Sequence, residues 1–470
     1  MNKKRLNIVL IGLVIISLST LFSSCKEKTM EGMIVFTQVT GNILNVDDGI
    51  ENSEKLISDS RIVAINPNKP ENKLKVLTKE YFSACAPQIS YDGKSMLFAA
   101  QKKQNDVWQI FEMDLGNLKI RQVTSSTENC MDPAYLPGDR IVFSKFTSNE
   151  KVNTEKALFT CNLDGTNSNQ ITFNPHEYSA STVLKDGRIL TISKQLFPTQ
   201  NDGMYIVLRP DGTKSELFYK GLKGSELRSR GWETTNGKVI FIESTSTDVS
   251  KGAIISINYN RPLHSRVNLS SEIKGDFYSV YPLQQGKLLV SYRSSKNNTY
   301  ALYEFDAENK TLGEVIYKDN NYSAIEAFVV KKQDIPRNLP SEINLNVTTG
   351  LLLCQDINFT TSSSEENNSS TSKATGIELL GMSASLGKVT VEKDGSFYLK
   401  ILADTPFRMQ TIDDMGQIIK GPGSWLYLRP NERRGCVGCH EDKEQIPVNR
   451  QPLSVKNNPI LMPVQKKEIQ

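Results

Sequence analysis

The sequence predicts an all-β chain: a six-bladed β-propeller followed by a small β-sandwich-like domain bearing a Cys-x-x-Cys-His motif. Three observations predict it. Glycine turns recur at a near-constant spacing, since Gly93, Gly138, Gly187, Gly237 and Gly286 stand 45, 49, 50 and 49 residues apart. An apolar strand-type run follows each of them, and a second hairpin follows within most units. Beyond the repeats the hairpin signals change spacing and lead into Cys436-Val437-Gly438-Cys439-His440. The chain divides accordingly into a leader (1–24), a propeller (25–332), a linker (333–349) and a second domain (350–470).

The leader comes first. Met1-Asn2-Lys3-Lys4-Arg5 is basic, residues 6–22 form an almost uncharged apolar run, and Ser23-Ser24-Cys25 follows. The run is short for a membrane span, and its flanks are those of a signal peptide. Small residues before the cysteine resemble the lipobox of bacterial lipoproteins, where cleavage leaves Cys25 to carry lipid. The alternative is an uncleaved anchor with an incidental cysteine. Acyl chains on Cys25 imply a membrane-anchored envelope protein. Lys26 does not resemble an inner-membrane retention signal, so the expectation is the outer membrane, with the face left open.

The body is expected to fold. Hydrophobic residues make up 38% and charged residues 23% of the 470, and the formal net charge is +4. That balance argues against disorder, and no basic stripe with aromatics points to nucleic acid.

Within the repeats, Asp92-Gly93 supplies the left-handed backbone that a two-residue hairpin needs before residues 95–98. Pro137-Gly138-Asp139, Asp186-Gly187, Asn236-Gly237 and Gln285-Gly286 do the same further on. The first unit is incomplete. Residues 33–37, 61–65 and 74–77 read as its second, third and fourth strands. Its first strand is expected at 323–330, which closes the ring and leaves no inner edge exposed. Pro87, Ser90, Asp92 and Gly93 form a Pro-x-x-Ser-x-Asp-Gly hairpin that resembles those of TolB-like propellers. This implies architecture and not activity.

Pro336 and Pro340 mark the linker, and 360–375 is a Ser/Thr/Asn/Glu-rich stretch read as a surface loop. Residues 388–391, 396–401, 407–412 and 424–428 are expected strands of the second domain.

Chemistry is concentrated at the pentapeptide. Two thiols two residues apart can add across the vinyl groups of one haem, and the adjacent histidine then lies beneath the iron. Cys436 and Cys439 are therefore the expected thioether residues of one covalent haem c, with His440 as proximal ligand. An export leader fits, because such attachment takes place after export. A disulfide, half a zinc site and a thioredoxin-like pair are the alternatives. Zinc lacks a second ligand pair in the sequence, and the βαβ context of a thioredoxin motif is absent. His176 and His264 have no Cys, His or acidic neighbour at ligand spacing and are read as packing or loop residues. Cys85, Cys130, Cys161 and Cys354 allow three disulfide pairings or remain buried thiols. No Ser-His-Asp set, carboxylate pair or phosphate-binding loop is present in the sequence, so whether the chain is an enzyme stays open.

The surroundings of the motif carry a second resemblance. The stretch at 391–398, Ala403-Asp404-Thr405-Pro406-Phe407 and Gln410-Thr411-Ile412-Asp413 belong to it. So do Ser424-Trp425-Leu426-Tyr427-Leu428-Arg429-Pro430-Asn431-Glu432, the motif with Glu441-Asp442, and Asn449-Arg450-Gln451-Pro452-Leu453. Together they resemble the hydrazine synthase alpha subunit middle-domain family, whose members join a TolB-like propeller to this domain. The resemblance implies haem c on Cys436 and Cys439. It does not imply hydrazine synthesis, because that alpha subunit has a further haem domain and partner subunits. Members need not ligate iron through the motif histidine, so His440 is less firmly placed than the thioethers. Met382, Met409, Met415, His176 and His264 are sixth-ligand candidates by type, and an open iron position is equally compatible.

Three functions follow as expectations. The first is a lipid-anchored monohaem electron-transfer protein with the propeller as docking scaffold for a redox partner. The second is a haem enzyme with an open iron site between the domains. The third is a non-redox scaffold with a structural cysteine pair.

Overall fold

The computed structural model describes residues 30–41, 43, 59–68, 74–200, 202–244, 251–359, 373–438 and 449–463. Among them lie eight four-stranded sheets and no α-helix. Among the described residues no helix is long and apolar enough to cross a membrane, which says nothing of strands.

Six of these sheets are formed by strands between residues 34 and 329. The second to sixth are built from consecutive strands. The fourth, for example, runs His176–Val183, Ile189–Gln195, Gly203–Leu208, Glu216–Lys220. The first is assembled from both ends of the repeats. Tyr322–Val329 pairs antiparallel with Ile34–Thr40, which pairs with Ser60–Ile65 and then Lys75–Val76. The strand expected at 323–330 thus lies where the incomplete unit needs it. The turn glycines adopt left-handed backbone, with φ +74° at Gly93 and +90° at Gly187. A Cβ on Gly187 would come within 2.1 Å of the Arg337 carbonyl oxygen, so this turn also lets the linker pass.

The first strands of the second, third, fourth and sixth sheets carry one register irregularity each. Ala86, Asp132 and Ala180 sit at three of these bulges with φ of 52–54°, and Glu326 does so in the first sheet at 51°. A bulge turns the strand and re-aims one side chain. Glu326 uses this to accept hydrogen bonds from Thr37 Oγ1 (3.1 Å) and from the Ala86 amide (3.0 Å) of the next sheet. Between the sheets, the packing is apolar: Phe36, Ile62, Phe98, Phe111 and Phe328 form one cluster across the closure.

Arg293 ties the closure from the other side. It reaches Asp276 Oδ2 through Nε (3.0 Å) and Nη2 (2.7 Å), and the Ile43 carbonyl through Nη1 (2.7 Å). Asp276 also accepts from Gly252 N of the fifth sheet and from Tyr300 Oη. Both ion-pair side chains are at least 96% buried.

Residues 331–348 contain no strand and run along the propeller, with Gln333 N bonded to Tyr91 O and Arg337 N to Lys185 O. The second domain is two facing sheets. One orders Arg433–Gly438, Thr349–Asp356, Phe397–Leu402, Ile460–Met462; the other Ser385–Thr390, Gly376–Leu380, Arg408–Ile412, Ile418–Lys420. Leu352, Leu379, Leu399 and Phe407 fill the space between them. The 424–428 stretch is not a strand, which corrects the sequence reading. Only Leu426 bridges a neighbour, Phe407, because Trp425, Tyr427 and Arg429 alternate outward onto the propeller. The stretch alternates like a strand, but its outer face is covered by another domain.

Removing one partner of a buried ion pair strands the other. Arg293→Met is expected to cost roughly 3–5 kcal/mol, read as a fall in the urea midpoint, whereas breaking an exposed pair such as Lys287–Asp306 should leave the midpoint nearly unchanged.

Candidate functional site

Cys436 sits in the edge strand Arg433–Gly438, which runs parallel to Thr349–Asp356 and sets Cys436 opposite Cys354. The thiol side of the strand packs on the sandwich core, and Cys436 is half-buried. On the other face, at Gly435, no described atom lies within 4 Å of where a Cβ would stand. Cys439 and His440, the rest of the predicted haem motif, lie outside the described residues. So does Cys25, the predicted lipid site.

The chain is held on both sides of the motif. Glu432 is 1% exposed and acts as a hub before it. It accepts from Arg429 N (2.8 Å), from Lys214 N of the propeller (2.8 Å) and from Arg434 Nη2 (2.9 Å), while its carbonyl accepts from Leu351 N. Five hydrogen bonds, two of them from the charged Arg434, satisfy this buried residue. After the motif, Arg450 donates to the carbonyls of Gln355 (3.0 Å) and Asp394 (2.8 Å), and Leu453 N bonds Asp394 Oδ2.

Of the residues that would hold a covalent haem, Cys436 is the one among the described residues; it stands on an edge strand and is half-buried, with the sandwich core packed on its inner side. Cys85, Cys130 and Cys161 differ: they are buried free thiols of the propeller core. Burial pushes the Cys161 thiol up to about 12 and raises the Cys85 thiol as well. None of these three is paired, which decides between the alternatives for them.

The sixth-ligand candidates scatter. Met409 packs on the same sandwich core as Cys436. Met382 is half-buried at a turn and Met415 is 78% exposed. His264 is exposed in a turn of the fifth sheet. His176 is buried in the fourth sheet, with Nδ1 2.8 Å from Ser193 Oγ, and burial holds its pKa down to about 3. The packing role expected of His176 fits that placement.

The domains meet across the third and fourth sheets. Tyr427 Oη donates toward the carbonyls of Ile171 and Gly212, each at 3.0 Å. Arg429 stacks over Phe173 at 4.8 Å and donates to Asp211 O. Asn174 Nδ2 donates to Trp425 O (3.1 Å). Nearby, Glu155 is held by Thr147 and Asn149, and burial raises its carboxyl to about 7. The sequence singled out none of Asn174, Tyr178, Glu155 or Glu432 as site residues. These residue types carry no spacing signal, and only the fold brings them together.

The hydrazine synthase alpha subunit middle-domain family matches residues 353–441. Hydrazine synthase subunit alpha of Kuenenia stuttgartiensis is 23% identical over 508 residues, covering 81% of this chain. The chain spans 62% of that relative's length. The solved Kuenenia stuttgartiensis hydrazine synthase superposes with a TM-score of 0.78 at 21% identity, covering 91% of this chain and 71% of that one. That likeness shows a shared fold. TolB from Acinetobacter baumannii is also similar, with a TM-score of 0.45, 12% identity, and 63% of this chain and 66% of that one covered.

Glu155 supplies a pH test. The unfolded chain ionises this residue near 4.5 and the folded chain near 7. The folded state therefore keeps an extra proton in that window, and this residue's contribution falls as pH rises from about 4.5 to 7. Glu155→Gln should flatten that part of the curve of melting temperature against pH, by an amount equivalent to roughly 1–3 kcal/mol. An unchanged slope would place the carboxyl in contact with water.

Proposed function

We propose that the chain is a lipid-anchored, monohaem c-type protein of the bacterial envelope, and that it passes electrons to a partner docked on the propeller. Each propeller sheet is read as one blade, six in all. The observation that carries the reading is Cys436 itself: a half-buried thiol on a rim strand, first residue of Cys-x-x-Cys-His, inside the stretch that resembles a hydrazine synthase middle domain. Cys436 and Cys439 would hold the haem through thioethers and His440 would lie beneath the iron. Bound there, the group supplies a one-electron redox centre. Glu432 and Arg450 fix the ends of the segment that carries it. Lipid on Cys25 would keep the molecule at the outer membrane.

A second reading is a haem enzyme acting on a small molecule near the domain seam. The interlocked seam favours it, since pockets are common where domains meet. So does the relative's name, which is that of a synthase subunit. The relative's own product is not assigned to this chain.

The test is a pyridine haemochrome spectrum with intact mass, on protein made in a host that matures c-type cytochromes. One haem per chain is expected, lost in the Cys436→Ala/Cys439→Ala variant. Carbon monoxide then separates the two readings. An unchanged ferrous spectrum supports electron transfer, and a shifted Soret band supports an open iron site. Apoprotein from that host would leave a propeller scaffold with a structural cysteine pair.

A further inference from the structure

One group of side chains at the domain seam has no role in the reading above. His176 and Tyr178 alternate on one face of the strand His176–Val183, so their rings stack, with centroids 5.9 Å apart and planes 25° apart. Asn174 stands just before them. All three are more than nine-tenths buried. Each has a polar atom with no hydrogen-bond partner among the described residues: Asn174 Oδ1, His176 Nε2 and Tyr178 Oη. Asn174 and Ser193 approach the Tyr178 hydroxyl without closing a bond to it.

Three such atoms within five consecutive residues are unusual. Each unmade bond to a buried polar atom is expected to cost about 1–3 kcal/mol, so native interiors avoid them or supply a partner molecule. The other polar atoms of the group are already engaged. Asn174 Nδ2 donates to Trp425 O (3.1 Å), which fixes the amide so that Oδ1 faces away from that bond. His176 Nδ1 is matched with Ser193 Oγ (2.8 Å). Trp425 and Tyr427 of the second domain close the seam nearby, with Tyr427 bound to Ile171 O and Gly212 O.

We propose that Asn174, His176 and Tyr178 form a binding site at the seam for a small neutral molecule that both donates and accepts hydrogen bonds. The chemistry of the three atoms sets the class. Asn174 Oδ1 only accepts, so the molecule must donate. Tyr178 Oη and His176 Nε2 can each give or take, so an acceptor on the same molecule is also served. Glu155 acts on Tyr178, but burial holds its carboxyl largely protonated below about pH 7, so below that pH an ion here would be buried without a counter-charge, which is costly. Burial keeps the imidazole itself uncharged over the working range of pH. Water and a small amide share this chemistry. Because Trp425 fixes Asn174, the site is complete only when the second domain is docked.

The test uses the full chain labelled with nitrogen-15 at histidine, which has only three histidines to assign. Long-range nitrogen–proton spectra read the tautomer and hydrogen bonding of His176. Formamide, formate and methylammonium serve as the neutral, anionic and cationic probes. A neutral ring with a hydrogen-bonded Nε2 in buffer alone identifies water as the occupant. A further saturable shift with formamide identifies room for an amide. Either supports the site. In the second case Asn174→Ala should weaken the formamide response about three- to tenfold, the worth of one hydrogen bond. An Nε2 with the shift of an unbonded nitrogen, unmoved by every probe, would overturn the proposal. So would a saturable response to formate or methylammonium in place of formamide.

Discussion

The antiparallel pairing of Ile34–Thr40 with Tyr322–Val329 is the constraint on which the rest of the molecule depends. It joins strands about 290 residues apart in sequence and turns a row of sheets into a ring. Without it the first sheet would lack its inner strand and present an unpaired edge. Contacts of such long range are costly in chain entropy, and the ring is secured by more than ladder bonds. Glu326 joins the first sheet to the second, and the Arg293–Asp276 pair joins the sixth to the fifth and to Ile43. These polar links sit among large aromatic side chains, so they set the register of sheets whose stability comes chiefly from apolar burial.

The closed ring gives the second domain a rigid floor. The linker follows the propeller surface rather than leaving it, and the segment 424–432 then lays Trp425, Tyr427 and Arg429 onto the third and fourth sheets. The same segment ends at Glu432, which binds the propeller amide of Lys214 and the first residues of the motif strand. One buried carboxylate thus connects the docking surface to the strand that bears Cys436.

Much of the fold was legible because turn chemistry is local. Left-handed backbone at Gly93 or Gly187 needs glycine whatever surrounds it, so regular glycines mark regular hairpins. The strand exchanged across the ring was legible because an incomplete unit at one end left a matching strand at the other. Reading 424–428 as a strand failed for a physical reason: alternation reports a two-faced extended segment, and it does not say whether the partner is a sheet or another domain. The spacing of Cys436 and Cys439 marks a motif in the sequence, of which the described residues include Cys436. The Asn174, His176 and Tyr178 group was not, since its meaning lies in atoms left unsatisfied after folding. His176 stood out only as one of three histidines.

Whether haem is carried at the rim strand decides the function of the molecule. Trypsin cutting after Arg434 and Lys443 releases a nonapeptide, 435–443, that holds both motif cysteines and His440. Mass spectrometry of this peptide, from protein made where c-type haem is attached, tests the claim directly. A peptide heavier by one haem is expected, with neither cysteine open to alkylation. The same peptide at its unmodified mass, alkylated at both thiols, would contradict it.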